Sequence, residues 1–530
     1  MRRVEGASWW RAAMALLAGC AQAASMAWPF ETLNFSFPWG GLNAGQSVWW
    51  LQLVALGLLA WLLAPSRGRT GGARLAVGYG WLFATAWLAG SFWWTFIAMH
   101  TYGGLPALLA VVAVLALAGL LALFYAAVCG AFVALALEKK ILSAIVFAAF
   151  WLLAELARGT WLTGFGWGAA GYAHVDGVLA AYAPWLGLYG LCALAAWLAM
   201  TLAGLAKGAS WRERLVGLAV ALLVLSLPSV YRMLAPDMTT SSGRLGVALL
   251  QGNIPQDEKF ETGTGVPLAL RWYAEQLQGS SAALVIAPET AIPVLPQQLP
   301  PEYWAGLQAR FAKGPQAALI GTPLGNHEQG YTNSVVGLKP GLAQPWRYDK
   351  HHLVPFGEFI PPMFRWFTEM MNIPLGDFNR GALVQPPFEW QGQRLSPNIC
   401  YEDLFGEELG PYFGDPAQAP TVFVNVSNLA WFGKGLALDQ HLQIARMRAR
   451  EFARPFLMAT NTGATAIVDH RGVVAATMPR DTRGVLVGEV EGRNGVTPYA
   501  WWVSRFGLWP FWIAALGLVL MATRRGLRKR

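Results

Sequence analysis

Apolar residues are unevenly distributed along the 530-residue chain. Runs of about 20 apolar positions, the length a helix needs to cross a bilayer core, fill the region before residue 231, and one more follows residue 505. Seven candidate spans lie at 9–27, 46–64, 75–98, 105–136, 141–157, 179–206 and 215–231, with an eighth at 506–523. The fourth is long enough that it must tilt, kink or extend beyond the bilayer. Its interior has glycines but no proline or charge, so it is read as one helix.

Between 244 and 490 the pattern changes to short apolar runs that end in polar residues: "LGVALLQGN", "AALVIAPET", "AALIGTPLG", "LSPNICYED", "TVFVNVSN" and "FLMATNTG". Runs of this length, rich in Val, Ile, Leu and Ala and bounded by Gly, Pro and Asn, fit buried strands. Helical stretches at 266–278, 302–312 and 438–453 separate several of them. The region reads as an α/β layered domain whose ligands are expected at the polar strand ends. The expected organisation is a membrane domain of seven helices (1–231), a catalytic domain (232–505), a C-terminal membrane helix (506–523) and a basic tail (524–530).

Composition agrees with a membrane protein: 55% of residues are hydrophobic, 13% are charged, and there are 27 tryptophans. The net charge of +9 is mostly a topology signal and not a nucleic-acid footprint. Arg2 and Arg3; Arg67, Arg69 and Arg74; Lys139 and Lys140; Lys207, Arg212 and Arg214; and Arg524, Arg525, Arg528, Lys529 and Arg530 occupy every second loop or terminus. Lys and Arg in short loops are retained in the cytoplasm. Eight crossings with both termini inside satisfy the pattern and put 232–505 outside the cytoplasm. The first segment, with arginines ahead of an apolar stretch ending in "AQAAS", shares features with a cleaved secretory signal; it is read as a retained span.

Within the polar region, Cys400 is the only cysteine, since Cys20, Cys129 and Cys192 lie in apolar runs. A lone exported thiol has no intrachain partner there and is not part of a disulfide framework. The neighbouring Glu402 and Asp403 disfavour a thiolate, so Cys400 as a nucleophile needs a base, a positive charge, or both. Glu289 closes "VIAPET", and Lys350 and Glu358 lie in "YDKHHLVPFGEF". Glu289 is a candidate general base, and Lys350 with the backbone N–H of Tyr401 is a candidate oxyanion site. Spacing alone leaves this division of labour open.

"APET", "DKHHLVPFGEF", "NICYED" and "NLAWFGK", in that order, resemble the Glu-Lys-Cys signature of the nitrilase superfamily. With membrane helices on both sides, the whole chain is similar to the family of bacterial apolipoprotein N-acyltransferases. The resemblance implies an αββα sandwich, with Glu289 as base, Lys350 as oxyanion stabiliser and Cys400 as nucleophile. It also implies supporting roles for Glu358, Tyr401, Glu402 and Trp431, although Glu358 and Glu402 fit equally well as anchors of Lys350 or of a backbone turn. "QGNIPQDEKF" resembles the family's first-strand motif. Leu429 departs from the more usual "NDAWFG" and puts a local hydrogen bond in doubt.

The reaction implied is a ping-pong acyl transfer in the bacterial inner membrane, with the catalytic domain on the periplasmic side. Cys400 takes an acyl chain from a phospholipid, preferably from the sn-1 position, as a thioester. The acyl group then passes to the α-amino group of the diacylglyceryl-cysteine at an apolipoprotein's N-terminus. A monomer without cofactor or metal is expected. The aromatic- and Met-rich stretch 361–378 is a candidate lid or membrane-dipping arm.

Other readings of these residues compete. His441 or His351 as base would make a cysteine-histidine hydrolase, and His351 with His352 a metal site, although adjacent histidines on a strand supply no helical ligand pair. The arginines of "HLQIARMRAREFARP" read as a solvated helix face, with phosphate-headgroup binding as the sharper alternative. "GTWLTGFGWGAAGYAH", at 159–174, reads as an interfacial anchor or a lining of the lipid path. Glu155, costly in lipid, must face protein or the interface. Rival functions are a membrane-tethered amidase or nitrilase acting on a small C–N bond, and a non-catalytic transporter or scaffold.

Overall fold

A computed structural model describes residues 2–31, 41–66, 70–135, 137, 139–206, 210–234, 237–360 and 378–527. The chain divides into two compact units, Met1–Thr95 with Ala107–Asp237 and Phe506–Arg530, and Phe96–Pro106 with Met238–Arg505. The expected arm at 361–378 falls outside the described residues except for Phe378.

The first unit is helical. Among the described residues, Gly72–Phe92, Ala107–Ala134, Lys140–Thr163 and Ala180–Ala206 are long and apolar enough to cross a membrane, and Pro498–Phe506 with Trp509–Arg524 makes a fifth if the pair counts as one span. The number settled by length and hydropathy is thus four to five. Helices Arg2–Met26, Trp49–Leu63 and Trp211–Leu234 lie over the first, second and seventh expected segments. The long fourth segment is one helix, Ala107–Ala134, with Leu108, Leu115 and Leu120 exposed, a surface suited to lipid. Small residues let the helices approach closely. A Cβ on Gly19 would lie 2.2 Å from the Phe83 carbonyl oxygen, and one on Gly80 2.9 Å from Cys129 Sγ.

The third segment ends earlier than its apolar pattern predicts. The helix stops at Phe92, where Trp94 Nε1 donates to the Ser91 carbonyl at 3.0 Å and Thr95 Oγ1 to the Phe92 carbonyl at 2.8 Å. Two turn residues then separate it from a short helical turn, Thr95–Ile97, and a π-helix, Ala98–Tyr102, so the apolar run through "WWTFIAM" stays largely helical after the interruption. Phe96–Pro106 belongs to the second unit.

Glu155 finds its partner inside the helical unit. Arg158 Nη2 donates to Glu155 Oε2 at 3.0 Å, Nε to the Tyr125 hydroxyl at 2.8 Å, and Nη1 to the carbonyls of Phe165 and Trp167 at 2.5 and 2.8 Å. The stretch 159–174 is divided: Trp161 and Leu162 are exposed, whereas Trp167, Tyr172 and His174 are buried. Interfacial anchoring therefore fits only its first part.

The second unit holds twelve strands among the described residues: β1 Thr240–Gln251, β2 Leu284–Ala287, β3 Ala317–Asn326, β4 Gly330–Leu338, β5 Trp346–Asp349, β6 Phe388–Trp390, β7 Gln393–Ile399, β8 Val422–Ser427, β9 Phe456–Thr460, β10 Ala466–Val468, β11 Val474–Thr477 and β12 Gly484–Asn494. They form two six-stranded sheets, in the orders β12-β1-β2-β3-β4-β5 and β11-β10-β9-β8-β7-β6. In each sheet three strands are parallel, β1-β2-β3 and β7-β8-β9. These six are the runs legible in the sequence, because strands buried on both faces read as continuous apolar stretches. The antiparallel flanks were not foreseen; β11 and β12 alternate between partial and full exposure along much of their length.

Leu249, Ile286 and Leu319 of one sheet meet Leu395, Val424 and Leu457 of the other in a shared core. On the outer face of the first sheet, Tyr273, Leu277, Leu307 and Phe311 from helices Gly265–Gly279 and Pro301–Lys313 pack on Val285 and Ile320. Outside the second sheet, Ala445, Ala449 and Phe452 of helix Leu436–Phe452 pack on Phe423 and Met458. The layers thus run helix, sheet, sheet, helix. This corrects the solvated-face reading of "HLQIARMRAREFARP": Arg448 is 1% exposed and pairs with Glu451 at 2.8 Å, and Arg454 is fully buried on backbone carbonyls. Burying a helix between a sheet and the rest of the unit encloses its arginines, and each guanidinium must then find acceptors.

Candidate active site

Glu289 follows β2, Lys350 follows β5 and Cys400 follows β7, so residues from both sheets lie at strand ends. Lys350 Nζ is 2.9 Å from Glu358 Oε1 and 3.7 Å from Glu289 Oε1, and the lysine is 1% exposed. Burial by itself would lower its pKa, but Glu358 and Glu289 beside it hold it above the usual lysine range. A permanent ammonium at this position suits stabilisation of a developing oxyanion.

Glu289 is held from several sides. Asn333 Nδ2 donates to its Oε1 at 2.7 Å and the Asn428 backbone N–H to its Oε2 at 2.8 Å. The same Asn333 amide donates to Glu358 Oε1 at 2.8 Å, and Val354 N–H caps Glu358 Oε2 at 2.8 Å. Glu358 therefore orients Lys350, and Asn333 spaces the two carboxylates. Neither Asn333 nor Asn428 was singled out from the sequence. Both sit among polar residues at strand ends, in "YTNSVV" and "VSNLAW", where an asparagine reads as an ordinary terminator.

Cys400 adopts a left-handed backbone conformation, φ +54°, and so does Thr290 after Glu289, φ +47°. Non-glycine residues hold this geometry only where the surroundings enforce it. At Cys400 the enforcement is visible: Asn425 Nδ2 donates to its carbonyl at 3.0 Å, and His441 Nε2 lies 3.3 Å from the same oxygen. His441 Nε2 is also 3.1 Å from Asp403 Oδ2, with both side chains fully buried. Burial would lower the imidazole pKa, but Asp403 more than reverses this and raises it. His441 Nε2 thus clamps the backbone of the Cys400 turn, which is not the base position of a cysteine-histidine hydrolase.

Burial pushes the Cys400 thiol well up, Glu289 pushes it further, and Lys350 opposes both. To act as a nucleophile, a thiol raised in this way would need a base nearby. The cysteine packs against Leu429, Leu438 and Ala464, and Leu429, the departure noted in the sequence, is 1% exposed in that apolar cluster.

Glu402 points away from the thiol. It accepts from the backbone N–H of Ile399 at 2.6 Å, His351 at 2.7 Å and His352 at 3.1 Å, and from the Tyr348 hydroxyl at 2.8 Å. It joins the Cys400 turn to the Lys350 loop. The Tyr401 ring packs on Phe405 and His352 at centroid distances of 5.1 and 5.5 Å. Trp431 lies on the turn Leu429–Phe432, edge-on to Tyr102 at 5.5 Å. His351 Nδ1 is 2.8 Å from the Gly381 carbonyl and His352 Nδ1 2.9 Å from Glu408 Oε1, so the adjacent imidazoles diverge.

Residues 246–499 match the carbon-nitrogen hydrolase family, and residues 32–201 match the apolipoprotein N-acyltransferase N-terminal domain. Among similar proteins, one of Verminephrobacter eiseniae named apolipoprotein N-acyltransferase is 55% identical over 518 residues, covering 94% of both chains. Proteins of the same name from Ralstonia nicotianae and Bordetella bronchiseptica are 44% and 42% identical, covering 90% and 91% of this chain and 92% of each of theirs. A polar site framed by two sheets, carried on a chain that is alike in both halves, places the protein in the apolipoprotein N-acyltransferase family, with a catalytic unit of the nitrilase superfamily fold.

Proposed function

We propose that the protein moves an acyl chain from a phospholipid, through a thioester on Cys400, to the α-amino group of the diacylglyceryl-cysteine that begins an apolipoprotein. The observation that carries this reading is the extent of the likeness. It covers 94% of the chain and includes the helical half at 32–201, which a soluble amidase would not need.

In the first step Cys400 attacks the ester carbonyl. Glu289 accepts the thiol proton as the C–S bond forms, and Lys350 with the Tyr401 N–H stabilises the oxyanion. Collapse breaks the ester C–O bond, and Glu289 returns the proton to the departing lysophospholipid. In the second step the acceptor amine attacks the thioester, its proton passes to Glu289, and the sulfur leaves and is reprotonated. Atoms and charge balance without cofactor or metal. Water must be kept from the thioester, because hydrolysis would make the enzyme a phospholipase.

Eight spans with both termini in the cytoplasm, and 232–505 on the periplasmic side as a monomer's catalytic domain, complete the proposal. The alternation of basic loops supports it. Covalent attachment to membrane helices keeps the site at the bilayer, and avoids drawing acyl chains into water at about 0.8 kcal/mol per CH₂.

The test is mass spectrometry of intact protein after incubation with a phospholipid. A gain of one acyl chain, labile to hydroxylamine and absent in Cys400→Ala, is expected. Hydrolysis of small amides without any acyl adduct would put a tethered amidase in its place.

A further inference from the structure

The site as described has an unbalanced charge. Glu289 and Glu358 face a single ammonium, Lys350, within 3.7 Å, while Asp403 is held by His441. One negative charge is therefore in excess before reaction begins. The proposed first step moves negative charge from Glu289 onto the Cys400 sulfur and then onto the substrate oxygen, so the charge is relocated without changing the sum.

A second lysine lies close by. Lys259, in the loop after β1, is 2% exposed, and its Nζ donates to the backbone carbonyl of Glu289 at 3.1 Å. Lysine is almost never buried so completely without a charge partner. The loop is fixed in place: Asn253 N–H donates to the Asn461 carbonyl at 2.8 Å, Ile254 N–H donates to Asn461 Oδ1 at 3.0 Å, and Asn461 Nδ2 donates back to the Ile254 carbonyl at 2.9 Å. Asn461 Nδ2 also donates to Asn428 Oδ1 at 3.0 Å, and Asn428 N–H donates to Glu289. Lys259 is thus delivered by the same network that seats the base.

We propose that Lys259 is a positioning and charge-balancing residue of the active site, fixing the Glu289 backbone and offsetting the negative charge that forms on Cys400. When Lys259 carries its proton, two carboxylates face two ammonium groups. Burial lowers the lysine to about 7, while Glu289 and Cys400 pull it back toward the charged form. The inference rests on the roles proposed above for Glu289 and Cys400.

The experiment is iodoacetamide alkylation of full-length protein in detergent near neutral pH, followed at the Cys400 peptide by mass spectrometry. Wild type is compared with Lys259→Met, Lys259→Gln and Lys259→Arg. Glutamine retains a donor for the Glu289 carbonyl without the charge; arginine retains the charge. Loss of a nearby cation worth one pKa unit should slow alkylation about tenfold in the Met and Gln variants, with the Arg variant within about threefold of wild type. Wild-type alkylation in the Gln variant would reduce Lys259 to a hydrogen-bonding prop and overturn the proposal. If the Met variant fails to fold, the contrast between Gln and Arg still decides. The assay contains no lipid, so its outcome is separate from that of the phospholipid experiment.

Discussion

The Tyr348 hydroxyl donates to Glu402 Oε2 at 2.8 Å, a buried bond between the strand that leads to Lys350 and the turn that carries Cys400. Because Glu402 also accepts three backbone N–H groups, it holds in register two segments that arrive from different sheets. The chemistry proposed for the strand ends should depend on this staple.

Tyr348→Phe should cost about 1–2 kcal/mol, and Glu402→Gln, which weakens charge-assisted bonds, about 2–4 kcal/mol, with slower acyl-adduct formation. Burial, outweighing its hydrogen bonds, raises Glu402 from 4.5 to about 7. A carboxyl raised on folding contributes stability that is fully present below its unfolded value and lost as pH rises through its folded value. The wild-type thermal midpoint should therefore fall between pH 4.5 and 7 relative to Glu402→Gln. Parallel curves across that window would refute the assignment.

Gly321 lies on β3 beside the end of β2. A Cβ there would meet the Pro288 carbonyl oxygen at 2.2 Å and Glu289 Cα at 2.8 Å, both backbone atoms that cannot step aside alone. Gly321→Ala should displace Glu289 and reduce the acylation rate by about 100-fold, in line with the cost of small misplacements of catalytic groups. Single-turnover acylation measured beside thermal unfolding separates this from simple destabilisation; an unchanged rate would count against it.

Glu358→Gln removes the carboxylate closest to Lys350. Glu358 is the main influence raising the lysine against its burial, so the pKa of Lys350 should fall in the variant. The alkaline limb of the acylation profile should move to lower pH, with a rate loss of about tenfold or more at the optimum. A pH series of adduct formation reads both, and an unmoved alkaline limb would show that Glu358 does not tune the lysine.

In the helical unit, Arg158→Leu leaves Glu155 buried without its guanidinium partner, at a cost of about 3–5 kcal/mol. Adding Glu155→Leu should recover a substantial part of that loss. Thermal unfolding in detergent of the two single variants and the double gives the coupling; additive effects would mean the pair does not act as a unit.

Some of this protein is written in local sequence pattern. The six parallel strands are continuous apolar runs because both of their faces are buried, and the long helix Ala107–Ala134 is uniformly apolar because much of it is exposed to a non-aqueous surface. Glu289, Lys350 and Cys400 stand out because charged or nucleophilic residues close otherwise apolar runs. That regularity is interrupted after Phe92, where the side chains stay apolar while two turn residues break the helix before it resumes at Thr95.

Other features depend on which segments fold against one another. Asn333, Asn428, Asn461 and Lys259 are ordinary polar residues until two sheets bring them around one carboxylate and its neighbours. Arg448 and Arg454 fit a solvated face by composition, yet lie in the interior. Sequence alone determined the class of the protein and singled out its candidate reactive groups, because periodicity and residue chemistry are local. Tertiary structure decided the partners of those groups, because hydrogen bonds and burial across hundreds of residues exist only once the layers have packed.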